Sequence, residues 1–122
     1  MQTYKELVVW QRGIQLTKAV YQVTEKFPKS EMFGLTSQMR RAAVSIPANI
    51  AEGYARKHRA EYIQFARIAY GSGAELETFF VLVEELKYAS ASEMSEPKRL
   101  LDETMRMLNK FISSLSVKRE NY

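Results

Sequence analysis

FGLTSQMRRAAVSIPANIAEGYAR, residues Phe33–Arg56, is the stretch on which the fold turns. Leu35, Met39, Ala43, Ile46 and Ile50 recur at steps of three and four, the spacing that puts side chains on one face of a helix. Ala42, Ala48, Ala51 and Ala55 are small enough for a neighbouring helix to approach closely. Gln38, Arg41, Ser45, Asn49, Glu52 and Arg56 follow the same steps as a polar stripe. Thr36 or Ser37 is placed to cap the N-terminus, where a side-chain oxygen accepts a free backbone N–H. Pro47 interrupts the pattern. It has no N–H and its ring crowds the carbonyl of Ala43, at about 3 kcal/mol in a regular helix. The helix therefore kinks at Pro47 or ends at Ile46. The period continues on both sides without turn residues, which favours the kink.

The central motif LTSQMRRAAVSIPANIAEG resembles the signature of four-helix-bundle proteins encoded in intervening sequences of bacterial 23S ribosomal RNA genes. Val9-Trp10-Gln11, Phe65 with Gly71-Ser72, Glu75-Leu76-Glu77 and Met107-Leu108-Asn109 are similar to the same pattern. The resemblance thus covers nearly the whole chain. A related protein accompanies the reverse transcriptase of diversity-generating retroelements and is a basic homopentameric barrel that binds nucleic acid. The resemblance implies a four-helix bundle, a homo-oligomer with a pentamer as first choice, and RNA or DNA as a partner. It does not supply a mechanism.

The rest of the chain agrees with a bundle. Helix one is expected from about Glu6 to Lys26. It carries two apolar stripes, Leu7, Trp10, Ile14, Thr17, Tyr21 and Thr24 in one, and Val9, Gly13, Leu16, Val20, Val23 and Phe27 in the other. A helix with two apolar stripes meets more than one neighbour, so the second stripe points to oligomerisation. Trp10 is read as core or interface, because base stacking needs an exposed ring. Helix three is expected from about Ala60 to Tyr88, with Tyr62, Phe65, Ala69, Ser72, Leu76, Phe79, Val83 and Leu86 as a seam of strict three–four alternation. It would span roughly 40 Å at 1.5 Å per residue. Gly71-Ser72-Gly73 is not a phosphate loop, since no strand precedes it and no Gly-Lys-Ser/Thr follows. Ser90, Ser92 or Ser95 could cap helix four. Pro97 favours Ser95, because a proline costs little in the first turn. Leu101, Thr104, Leu108, Phe111 and Leu115 form its seam, and Val117–Tyr122 reads as a frayed basic tail. Short connections join helices up and down, giving one all-α, antiparallel four-helix-bundle domain over residues 1–122.

Composition narrows the function. The 122 residues suit one domain with its own core. There is no cysteine, hence no disulfide framework and no thiolate metal site. No run of about 18 apolar residues predicts a membrane span, and MQTYKEL is not a secretory leader. A cytoplasmic protein is expected. The only histidine is His58 and the only aspartate Asp102. Triads, zinc clusters and Glu-x-x-His di-metal sites are therefore unsupported. The expectation is a non-enzyme without cofactor or metal.

The net charge of +4 and pI near 9.4 are modest attractors of polyanions. A fivefold ring would multiply the charge to about +20. The densest positive run is Arg56, Lys57 and Arg59, and with Arg12, Lys18, Lys118 and Arg119 these are the candidate nucleic-acid contacts. Arg40, Arg41, Asn49, Glu52, Glu75 and Glu77 are the candidates for a polar network within the bundle or between subunits, with Arg41 and Glu75 its expected pair. The functional alternative for Arg40 or Arg41 is a nucleic-acid contact. Two functions follow: a non-catalytic oligomeric nucleic-acid-binding bundle, or a protein-interaction scaffold with no direct nucleic-acid contact.

Overall fold

The computed structural model describes residues 2–120, with side chains to residue 117. Among these residues there are four α-helices and no strand: α1 (Val8–Thr24), α2 (Leu35–Arg56), α3 (Arg59–Glu85) and α4 (Ala91–Glu120). Short 3-10 turns at Tyr4–Glu6 and Lys29–Glu31 precede α1 and α2. α1 packs against α2 and α4, and α3 packs against the same two helices. The backbones of the diagonal pairs stay apart among the described residues, and only their core side chains share the interior.

Side-chain contacts set the direction of each pairing. Going up α1, Gly13 faces Pro47, Thr17 bonds Ala43 and Thr24 bonds Arg40, so the partner residues descend α2. Gly53 meets Phe65 while Ser45 meets Ser72, which runs α3 against α2. Glu84 pairs with Lys98 and Tyr62 stacks on Phe111, which runs α4 against α3.

α2 passes through Pro47 as unbroken helix, so the alternative of an end at Ile46 falls away. The proline leaves the Ala43 carbonyl without its i+4 donor. The Thr17 hydroxyl of α1 reaches that carbonyl at 3.1 Å and the Gly13 carbonyl of its own helix at 2.8 Å, sharing one proton between them. Gly13 lets the proline ring lie close, because a Cβ there would stand 3.3 Å from Pro47. The interruption in α2 is thus built into its contact with α1.

Met39, Ala43, Ile46 and Ile50 are buried as the period required, and Leu35 packs at the edge of the core. Of the two stripes on α1, the one from Val9 through Leu16, Val20 and Val23 to Phe27 is the core stripe. Ile14 and Tyr21 of the other are exposed.

Four expectations need correction. The α2 cap is neither Thr36 nor Ser37: Thr36 is buried, the helix starts at Leu35, and the Glu31 carboxylate accepts the Leu35 N–H at 3.2 Å. α4 starts at Ala91 rather than near Ser95. Ser90 accepts the Glu93 N–H while Glu93 accepts the Ser90 N–H, a capping box. That box, with full burial of Met94, outweighs the cost of Pro97 inside the helix. In α3 the centre of the seam is Ile63, Ala66, Ala69, Gly73, Leu76, Phe80 and Val83. Tyr62, Phe65, Ser72 and Phe79 are only half-buried, and Leu86 is exposed at the C-cap. α3 serves two neighbours, so the edge of its broad buried face mimicked a seam in sequence. Finally, α4 continues as helix through residues 117–120 where a frayed tail was expected. Residues 121–122 lie outside the described residues.

Candidate nucleic-acid interface

One end of the bundle gathers the chain's first residues, the α2–α3 turn and the C-terminal end of α4. A string of rings joins them. Tyr4 lies 5.4 Å from Trp10 and 6.4 Å from Tyr54, Tyr54 lies 6.0 Å from Tyr62, and Tyr62 lies 5.1 Å from Phe111. All are edge-on contacts, an arrangement that the ring quadrupole favours. Trp10 is half-buried in this string, as a core or edge residue would be. Burial, with Tyr54 close by, pushes the Tyr62 phenol up to about 12. Its hydroxyl has no hydrogen-bond partner among the described residues.

The basic turn lies on top of these rings. α2 ends at Lys57 in the left-handed conformation (φ 60°), and α3 starts two residues later. This reversal holds Lys57 and His58 out in solvent. Arg56 ion-pairs with Glu52 one turn back at 2.8 Å, and its guanidinium lies over the Phe65 ring. Arg59 is half-buried. Arg56 and Lys57 also complement the negative end of the α2 dipole, which is a structural reason for their presence. Lys118 and Arg119 fall on the last turn of α4, and their side chains lie outside the described residues.

Two predicted contacts stand apart from this end. Arg12 is tied to Glu103 of α4 at 2.9 Å and to Gln15 of its own helix. Glu103 also takes the Arg99 guanidinium, so Arg12 belongs to a clasp between α1 and α4. Lys18 is exposed near the middle of α1.

The polar-network candidates divide in two. Asn49 donates its amide to the Ser45 carbonyl and hydroxyl, and Ser45 meets Ser72 of α3 at 2.8 Å. These three form a polar seam between α2 and α3. Arg40 turns the other way, donating to Thr24 of α1 at 2.9 Å and stacking on Tyr21 at 4.5 Å. Glu52 is taken by Arg56. Arg41 and Glu75 line one groove above Ser45 and Ser72, yet among the described residues neither makes an ion pair or hydrogen bond within the chain. Glu77 lies across α3, in a groove with Lys98 and Asp102 of α4, and is exposed. Sequence reasoning missed Thr17, Thr24, Ser45 and Ser72 as the actual linkers. For Thr17, Thr24 and Ser72 the available signal was a hydroxyl residue on an otherwise apolar stripe; Ser45 stood in the polar stripe of α2 and carried no such signal. Among the described residues no group of three or more His, Asp or Glu is placed to hold a metal. No helix there is long and apolar enough to cross a membrane.

Fold and surface together define an all-α four-helix bundle with Arg56, Lys57 and Arg59 clustered at the turn between α2 and α3. Residues 5–110 match the model of the 23S rRNA-intervening sequence protein family, and the chain belongs to that family. Its structure is similar to the crystal structure of a protein of unknown function from the S23 ribosomal protein family of Bacteroides thetaiotaomicron. That similarity has a TM-score of 0.78 at 22% identity and covers 87% of this chain and 96% of that one. No curated protein matches this chain.

Proposed function

We propose that this chain is a non-catalytic, oligomeric nucleic-acid-binding bundle that takes the phosphate backbone of structured RNA or duplex at its basic end. The observation that carries this reading is the convergence of the α2–α3 turn and the α4 terminus on one end. Lys57 and Arg59, with Arg56 able to leave Glu52 for a stronger anion, are the central contacts. Lys118 and Arg119 extend the same rim along the chain. Lys18 is a peripheral contact, and Arg12 contributes field rather than direct contact because Glu103 holds it. A single copy carries little net charge, so the reading depends on assembly, the fivefold ring implied by the family resemblance being its simplest form.

The test is fluorescence anisotropy with labelled structured RNA and duplex DNA at about 50 and 200 mM salt. Binding through six or more phosphates weakens by roughly 10³-fold or more between those salts. Replacing Arg56, Lys57 and Arg59 together with Ala should abolish most of that salt dependence. Absence of binding even at the lower salt rejects the reading. The scaffold reading is favoured in that case by a different observation: Phe33 is 97% exposed beside an apolar groove, a place for another protein chain.

A further inference from the structure

Two carboxylates in this bundle sit where their own helix disfavours them. α3 ends with Glu84 and Glu85, and no basic residue stands in its last turn. A negative charge there meets the negative end of the helix dipole. Arg56, at the end of α2, is placed the favourable way round. Glu84 is relieved by Lys98 of α4. Glu85 makes no ion pair or hydrogen bond among the described residues, and neither does Glu77 two turns earlier. Lys87, just past the end of α3, is exposed and pairs with neither. Glu85 is therefore held against its own helix with no return to the fold.

These carboxylates stand along a groove between α3 and α4. Phe80 and Leu101 are buried at its floor, and Val81 is 58% exposed on its α3 side. Glu77, Val81 and Glu85 follow one another at steps of four, so an apolar side chain lies between the two unpaired carboxylates. Eight residues of helix set those carboxylates about 12 Å apart along the axis. With Glu84 and Asp102 the groove carries four carboxylates and one ammonium, in a chain whose net charge is +4. Its one ammonium shows the fit: Lys98 lines the groove from α4 and delivers its charge to Glu84.

We propose that this groove docks a basic amphipathic helix of a partner protein, with an apolar residue over Phe80 and Val81 and a lysine or arginine against each of Glu77 and Glu85. Long cationic side chains suit both parts of the surface, because their stems cover apolar area while their heads reach the carboxylates. A helix in a groove supplies such residues at a fixed spacing along one face. The arriving cation also neutralises the end of α3, so binding relieves Glu85. Nucleic acid is repelled by the same four carboxylates. A second copy of this chain fits less well, since its densest cations, Arg56 to Arg59, stand on a turn and not along a helix face. Arg59 opens α3 and Glu85 closes it, so this site and the basic end are separated by a 27-residue helix and leave room for both occupants.

The probe is a fluorescein-labelled peptide of leucine and lysine at helical spacing, about 20 residues long so that it forms a helix. A twin carries glutamate in place of every lysine. Anisotropy with the full chain at about 50 mM salt, where charge is weakly screened, should show binding of the lysine peptide and none of the twin. Glu77→Lys with Glu85→Lys should weaken that binding by about a hundredfold, and Val81→Asn by about tenfold. All three positions are exposed. A lysine at position 85 suits the end of α3, so the charge-reversed protein should melt above the wild type. Binding lost from a more stable protein is not lost through unfolding. A lysine peptide that fails to bind, a twin that binds equally, or a charge-reversed protein that binds like the wild type overturns the proposal. So does a fall in sedimenting mass on charge reversal, which would give the groove to another copy of the chain. RNA anisotropy on the same proteins keeps the two sites apart. Peptide binding without RNA binding leaves the groove standing, whereas RNA binding without peptide binding leaves only the basic end.

Discussion

Gly53 and Gly71 show how differently the same residue type is used within two helices. A Cβ at Gly53 would stand 2.8 Å from the Phe65 Cβ, an atom close to the α3 backbone that cannot swing away. At Gly71 there is open space. In a helix interior, alanine is favoured over glycine by about 1 kcal/mol. Gly71→Ala should therefore raise the melting temperature by a few degrees in thermal melts. Gly53→Ala should lower it, because pushing α2 from α3 costs more than the helix gains. Equal shifts for the two would show that the α2–α3 contact is looser than described. Nothing in the sequence distinguishes these glycines: each lies between a tyrosine and a polar residue, Gly53 between Glu52 and Tyr54 and Gly71 between Tyr70 and Ser72, and only the partner helix decides.

The elements were legible where one period dominated. α2 could be read because Met39, Ala43, Ile46 and Ile50 carry the three–four spacing across Pro47. The core stripe of α1 was visible too, though not which of its two stripes it was. α3 misled because a helix between two neighbours has a broad buried face, and Tyr62, Phe65, Ser72 and Phe79 mark its edge rather than its centre. The α4 start was misplaced because Pro97 was given more weight than the Ser90–Glu93 box. The candidate site was legible only as a charge cluster at Arg56–Arg59. That Glu103 takes Arg12 and that Arg40 turns toward Tyr21 depends on which helices are neighbours.

Pairing between elements gives a sharper prediction. Thr17→Val leaves the Ala43 carbonyl with neither a proline N–H nor a hydroxyl, and should cost about 1 kcal/mol. In a Pro47→Ala background the restored backbone N–H takes that carbonyl, so the same change should cost less. Denaturation of the four proteins measures the difference, expected at about 0.5–1 kcal/mol. A strictly additive pair would mean that Thr17 does not serve the proline gap.

At the scale of the whole molecule, four carboxylates among the described residues are held below the usual glutamate range. Glu6 accepts N–H groups from Gln2 and Thr3, Glu31 the Tyr88 hydroxyl and the Leu35 N–H, Glu93 the Ser90 N–H and the Lys26 ammonium, and Glu96 the Arg99 guanidinium. A carboxylate whose folded pKa is depressed adds stability that is present above the unfolded value. That stability is lost as the pH falls through the folded one. The melting temperature should hold near neutrality and decline as the pH drops below the ordinary value of 4.5. The double variant Glu31→Gln, Glu93→Gln should start lower at neutral pH and decline less, as followed by thermal melts between pH 6 and pH 3. A decline as steep as that of the wild type would place the acid sensitivity elsewhere.

Tyr4 touching Tyr54, and α4 running on past the level of Phe111, bring both limits of the described chain to the end that carries Lys57. A purification tag on either terminus would therefore crown the very surface whose ligand is being sought. It could silence an RNA titration or, if rich in histidine, counterfeit one. The opposite end, with its turns at Pro28 and Ala89, offers the remedy. Linking the termini and opening the chain there would move the tag a full bundle length away and leave the cationic crown bare.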